Sequence, residues 1–122
     1  MPDLFDEIFS ISPQIRYVAL VQGELEPTLR ERPGLVGASS AESDRFEELL
    51  VNPTVLGLLE RRGRIDCGGL AYVIIRYGNF FQILHAVADG HLSVAVEPHG
   101  EPLRVIEALR PVVARLRSMG AA

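Results

Sequence analysis

The sequence predicts an α+β fold: a five-stranded antiparallel sheet flanked by helices on both faces, in the order α-β-β-α-β-β-β-α. Apolar residues recur at helical spacing in three separate stretches, and five shorter runs have the apolar or alternating pattern of strands. Short turns join the last three runs, which makes their strands antiparallel neighbours. Because several runs are apolar on both parities, the sheet needs cover on both faces.

The first part of the chain predicts a short helix and two strands. Apolar residues at helical spacing indicate a helix over residues 3–10, which ends before Pro13 because the residue preceding a proline avoids the helical region. The β-branched and aromatic run Ile15–Val21 predicts a strand buried on both faces. A second strand is expected over residues 25–32, at an edge of the sheet, because Pro27 cannot donate a ladder hydrogen bond.

A long amphipathic helix is predicted over residues 44–62. Ser40 or Ser43 is its expected N-cap, and Gly63 is its expected C′ residue. Arginines just before this glycine suit the negative end of the helix dipole.

Two prolines fall inside predicted helices. At Pro53 we expect either a kink or two shorter helices, with Asn52 or Thr54 capping the second. Pro111 lies inside the final helix, predicted over residues 101–119, and favours a bend there.

Three antiparallel strands are predicted between these helices. Gly78–Asn79 and Asp89–Gly90 separate them, and both pairs tolerate the positive φ angles of two-residue hairpins. The strands are expected over residues 70–77, 80–88 and 92–97.

Composition limits the classes of function. The 122 residues suffice for one domain, 1–122, with a conventional core. A single cysteine excludes an internal disulfide and indicates a reducing, cytoplasmic environment. No apolar run approaches the ~18 residues of a membrane helix. The net charge of −4 predicts neither nucleic acid nor a membrane as a partner.

Four segments set the order and spacing of the chain: Ile15–Val21, the central helix, Leu70–Tyr77, and Ile83–Val96 leading to the last helix. Over about residues 3–119 this arrangement resembles the roadblock family of dynein light-chain-like domains and its prokaryotic relatives. Pro27 and Pro53 depart from a typical member. The resemblance implies a homodimer, in some members a heterodimer, that acts as a non-catalytic scaffold or regulator for small GTPases, motility or polarity systems.

The strand over residues 70–77 is apolar on both parities, which favours an interface with a second chain. At a sheet edge such a strand presents unpaired backbone groups on an apolar ribbon. We hypothesise that it pairs with its counterpart across a twofold axis, while the helix over residues 44–62 packs beside its mate. The predicted dimer-interface residues are Leu70, Tyr72, Ile74, Arg76, Tyr77, Leu56 and Leu59.

Side chains suited to catalysis or metal binding are few. His85, His91, His99 and Asp89 are the only concentration of possible ligands, and without a further firm ligand no metal site is expected. Cys67 is expected to be inert and partly buried, because no activating base accompanies it. No nucleophile–base pair and no lysine-containing phosphate loop is present, so neither catalysis nor a cofactor is predicted.

A second interpretation remains: a small-molecule sensor of the profilin-like, PAS or GAF kind, with its pocket between the sheet and the central helix. Such a sensor needs a cavity of about 300 Å³ or more with convergent polar groups. A scaffold needs a packed core and an apolar surface patch.

Overall fold

The computed structural model describes residues 3–23, 26–33 and 41–119. Four α-helices, a π-helical segment and five strands lie within these ranges. In chain order they are α1 (Leu4–Phe9), β1 (Ile15–Gln22), β2 (Thr28–Glu31), α2 (Ala41–Phe46), the π segment (Glu47–Val51), α3 (Asn52–Asp66), β3 (Val73–Arg76), β4 (Phe81–Val87), β5 (Gly90–Val96) and α4 (Pro102–Ser118).

The five strands form one antiparallel sheet in the order β2-β1-β5-β4-β3. The hairpins β1–β2 and β3–β4–β5 are joined by the pairing of β1 with β5. Both β2 and β3 are therefore edge strands, as Pro27 predicted for β2. The predicted α+β class with five antiparallel strands is confirmed.

The main hydrophobic core lies on one face of the sheet, beneath α1 and α4. Ile8 of α1 and Leu109 of α4 are fully buried there, together with Ile83 and Val94 of the sheet. Each such side chain stabilises the fold by roughly 1.5–3 kcal/mol. The buried residues of α4 recur at helical spacing and are Val105, Ile106, Leu109, Val112, Val113 and Leu116. The helix continues through Pro111.

The opposite face of the sheet is covered by α2, the π segment and α3, and its contacts are more polar. A small apolar cluster contains Tyr17, Ala19 and Ala95, with Leu29 packed beside it. Glu48 of the π segment is fully buried against this face. Helices on both faces, as predicted from the strands that are apolar on both parities, are thus confirmed.

The interruption predicted at Pro53 takes the form of the π segment, which directly precedes α3. Pro53 lies in the first turn of α3, where the absence of a backbone donor costs least. The expectation that Asn52 or Thr54 caps α3 is wrong. Asn52 is buried and donates to Glu48, whereas Thr54 Oγ1 donates to the carbonyl four residues earlier at 2.7 Å.

The end of α3 corrects the role predicted for Gly63. The helix continues to Asp66, and Gly68, with φ of 79°, takes the left-handed position after Cys67. Gly63 lies inside the helix, where the absence of a side chain lets the chain that follows α3 pack against it. The amide of Gly69 donates to the Gly63 carbonyl at 3.0 Å, and a Cβ on Gly63 would lie 2.9 Å from the Gly69 carbonyl carbon.

Some of the other predicted boundaries differ by up to three residues. The ladder of β3 covers Val73–Arg76 of the predicted residues 70–77, and the Ala71 carbonyl that precedes it accepts a hydrogen bond from Arg117 of α4 at 3.1 Å. Of the two predicted hairpin pairs, only Asp89 has a positive φ, 60°. The expected N-cap Ser43 lies within α2, and Ser40 lies outside the described residues.

Candidate interaction surface and adjoining cavity

The strand β3 forms one edge of the sheet and is apolar on both faces. Tyr72 and Ile74 point to the side of α4, and Ile74 packs against the main core. Val73 and Ile75 point to the side of α3. Within the described residues β3 pairs only with β4, so its outer backbone groups face away from the sheet.

The predicted interface residues lie in different environments. Leu70, Ile74 and Tyr77 are half-buried, Arg76 is exposed, and Tyr72 and Leu59 are each 39% exposed. Leu56 is 3% exposed and packs inside its own chain, so it offers no surface to a second copy. A helical pattern in which apolar residues occupy most positions does not show which side faces inward.

Other apolar residues on the same helical segment are exposed, and the sequence reasoning did not single them out. Leu58 and Ile65 of α3 are seven residues apart, which is about two helical turns, so they lie on one side of that helix. Leu50 lies in the π segment that precedes α3. The exposed helix face, as we name it, comprises Phe46, Leu49, Leu50, Leu58, Leu59 and Ile65. The helix α3, which carries Leu58, Leu59 and Ile65 of this face, packs against β4, the neighbour of β3 in the sheet.

A buried polar cluster attaches the π segment to the sheet. The Glu48 carboxylate accepts hydrogen bonds from Tyr17 Oη at 2.8 Å, Asn52 Nδ2 at 2.9 Å and His91 Nε2 at 2.8 Å. Burial, followed by the charge of Glu48, raises the pKa of Tyr17 far above its usual value, so the phenol remains a donor. Three donors offset much of the desolvation of this carboxylate.

A cavity of about 420 Å³ opens beside this cluster, between the sheet and the segment formed by α2 and the π segment. The β3–β4 turn closes one side. The lining residues are Arg16, Tyr17, Glu31, Ser43, Asp44, Glu47, Glu48, Tyr77, Gly78, Asn79, Phe80, Gln82 and Ala95. The lining therefore includes three aromatic residues and four acidic residues.

Glu47 and Tyr77 connect the cavity wall to the edge hairpin. Tyr77 Oη donates to Glu47 Oε1 at 2.9 Å. Burial is the main reason that the pKa of Glu47 is raised, and it also raises the pKa of Tyr77 to about 12. The partly desolvated Glu47 carboxylate thus has a neutral donor as its partner.

The histidines and the cysteine are not brought together. His85 faces α4, 6.1 Å from the Tyr72 ring, whereas His91 faces the π segment on the opposite side of the sheet. In residues 3–23, 26–33 and 41–119 no three His, Cys, Asp or Glu side chains are grouped to hold a metal ion. Cys67 is exposed, which corrects the expected partial burial, and its thiol donates to Asp66 Oδ1 at 3.4 Å.

Two solved structures share the arrangement of strands and helices described above. A Roadblock/LC7 domain from Streptomyces avermitilis superposes with a TM-score of 0.59 at 12% identity, over 93% of this chain and 99% of that chain. MglC from Myxococcus xanthus gives a TM-score of 0.56 at 11% identity, over 93% and 95%. The chain has the roadblock/LC7 fold.

The resemblance drawn from the order and spacing of the elements is thereby confirmed for the fold. No protein-family model and no curated protein matches the sequence. Among the described residues of this roadblock/LC7 fold, no helix has both the length and the hydropathy needed to cross a bilayer.

Proposed function

We propose that this protein is a non-catalytic scaffold that forms a homodimer through β3 and the exposed helix face. Residues 1–122 act as one domain. The dimer binds a protein partner in the cytoplasm, and this partner is a small GTPase or another signalling protein. The apolar edge of β3 beside the exposed helix face supports the dimer. The roadblock/LC7 fold supports the scaffold role, in line with the resemblance drawn from the sequence.

The two sheet edges differ in a way that favours β3 for pairing. The edge strand β2 follows Pro27 and carries Arg30 and Glu31, and prolines and charges are the features that protect an edge from another chain. In β3, Val73, Ile74 and Ile75 are consecutive and apolar. Pairing with the same strand of a second copy satisfies its outer backbone groups and covers its side chains.

The exposed helix face supplies apolar area beside the paired strands. Leu58 is 61% exposed and Ile65 is 75% exposed, and a twofold axis through the β3 pair brings the two copies of α3 close to each other. The proposed interface retains Leu70, Tyr72, Ile74, Arg76, Tyr77 and Leu59. Leu58 and Ile65 replace the buried Leu56.

Light scattering coupled to size-exclusion chromatography tests the dimer. We expect the mass of two chains at micromolar concentration and a shift to one chain in Leu58→Glu, because a charge at the apolar centre of an interface is desolvated without a partner. Leu103→Glu is the matched control: Leu103 is 63% exposed on α4 and is not part of the proposed interface, so its replacement should leave the mass unchanged. A wild-type protein that remains monomeric at micromolar concentration contradicts the proposal.

The second candidate, a small-molecule sensor, is supported by the cavity. Its volume of about 420 Å³ exceeds the lower end of the range for ligand pockets, roughly 300 Å³. It lies between the sheet and the central helical segment, where the sequence interpretation placed a sensor pocket. Polar side chains converge on it from both layers.

A further inference from the structure

We propose that the cavity binds a small organic cation that carries an ammonium or guanidinium group on an aromatic or aliphatic body. This proposal rests on the second candidate function and supplies its ligand class. Tyr77 lines the cavity and also belongs to the proposed dimer interface, so the mass of the protein is measured on the sample that is used for binding.

The charges around the cavity favour a cation. The lining carboxylates belong to Glu31, Asp44, Glu47 and Glu48, and the one cationic side chain among the described lining residues is Arg16. The Arg16 guanidinium lies 3.6 Å from Glu97 and also donates to the Asn79 carbonyl at 3.4 Å. The positive charge of Arg16 is therefore already paired with Glu97 and the Asn79 carbonyl.

The two buried carboxylates have different roles. Glu48 is fully buried and accepts three hydrogen bonds from protein donors, so its capacity for a ligand is small. Glu47 is half-buried and accepts one hydrogen bond, from the Tyr77 phenol. The raised pKa of Glu47 fits a carboxylate whose burial outweighs the hydrogen bond that it accepts from Tyr77. We assign Glu47 as the group that pairs with the ligand cation.

The walls of the cavity favour an organic cation over a metal ion. Tyr17 and Tyr77 supply aromatic rings, which attract ammonium and guanidinium groups and cover an apolar ligand body. The Phe80 ring also lines the cavity, but the Arg16 guanidinium already lies over it, 5.5 Å from its centroid. The phenols of Tyr17 and Tyr77 are held by Glu48 and Glu47, which limits the motion of both rings. A metal ion would need several grouped ligands, and the described residues contain no such group.

Binding of tyramine to the intact protein tests this proposal, with tyrosol as its neutral analogue and 4-hydroxyphenylacetate as its anionic one. Calorimetry should give a Kd for tyramine below about 1 mM and at least about tenfold tighter than for either analogue. Amide resonances of Tyr77, Phe80 and Ala95 should shift on titration with tyramine.

Glu47→Gln should weaken tyramine binding about tenfold, because it removes the charge opposite the ammonium group. Glu107→Gln is the matched control, because the Glu107 side chain lies on the exposed side of α4. This variant should bind tyramine as the wild type does. If Glu47→Gln does not fold, Glu31→Gln at the exposed rim still tests the charge requirement, with an expected weakening of about threefold.

Equal binding of tyrosol and tyramine, or no binding of tyramine, overturns the assigned ligand class. Tight binding of tyrosol without binding of tyramine also overturns the cation proposal, but it supports the sensor function. Light scattering on the same sample reports the dimer separately, so a dimer that binds no amine contradicts only the cation proposal.

Discussion

At Glu48 a single carboxylate connects the π segment to three other elements of the fold. Its three hydrogen bonds join the π segment to β1 through Tyr17, to β5 through His91, and to α3 through Asn52. Glu48→Ala leaves three buried donors without an acceptor, so we expect a loss of roughly 3 kcal/mol in the free energy of unfolding. Urea denaturation measures this loss. The control is Glu107→Ala on the exposed side of α4, which should change the free energy of unfolding by less than about 0.5 kcal/mol. Similar urea midpoints for Glu48→Ala and Glu107→Ala would contradict the structural role of Glu48.

His85 provides a pH dependence of a defined sign. Burial, with a smaller effect of Arg117, lowers the pKa of His85 from 6.5 to about 4. Between these two values the unfolded chain binds the proton and the folded chain does not, so stability rises with pH across this window. The free energy of unfolding is therefore unaffected by the titration of His85 above about pH 6.5, and it decreases as the pH falls toward 4.

Urea denaturation of the wild type and of His85→Phe at several pH values isolates this effect. The variant keeps a ring of similar size against Tyr72 but removes the titrating group. Its stability should fall less steeply between pH 6.5 and 4. Parallel curves for the two proteins would show that His85 does not titrate with a lowered pKa.

At the scale of single elements, two glycines of α3 allow a matched comparison. A Cβ on Gly57 would meet no atom within 4 Å, whereas one on Gly63 would lie 2.9 Å from the Gly69 carbonyl carbon. Gly57→Ala should therefore raise the free energy of unfolding by up to about 1 kcal/mol, through helix propensity. Gly63→Ala should lower it by roughly 1–3 kcal/mol, because the chain after α3 must move. Thermal and urea denaturation measure the stability of both variants. Equal changes in the free energy of unfolding for Gly57→Ala and Gly63→Ala would contradict the packing of Gly69 on the helix.

The elements differ in how well local sequence predicts them. The strand β1 and the helix α4 match their predicted ranges within one residue, because uniform apolar patterns and flanking turns specify them. The break at Pro53 was predicted, but its π form was not. A π turn contains more residues than an α turn and so changes the direction of the side chains that follow. The pattern alone also did not separate the buried Leu56 from the exposed Leu58, because both belong to an apolar set that covers most of the helix.

At the scale of the whole molecule, the sheet order determines which edge is available. If β3 pairs with a second copy as proposed, unfolding is coupled to dissociation, and the melting temperature should rise with protein concentration. Leu58→Glu should remove this dependence and Leu103→Glu should preserve it. A melting temperature of the wild type that is independent of concentration across the micromolar range would contradict a dimer held by β3.

The candidate cavity depends on contacts that no local pattern contains. Tyr17, Glu48 and Tyr77 are separated by about thirty residues along the chain, and they meet because β1, the π segment and the β3–β4 hairpin converge on one end of the sheet. In the sequence alone, Glu47 is one of several acidic residues at the start of a predicted helix, where a negative charge is favourable whether or not it is buried. Its burial follows only from the packing of that helix on the sheet.

The sequence by itself determined the α+β class, the antiparallel hairpins and the edge position of β2, because these depend on periodicity and turn chemistry over a few residues. Tertiary structure decided which helical residues face outward, how far β3 extends and where Glu48 is buried. Those features depend on contacts between residues distant in sequence, whose free energies outweigh local preferences.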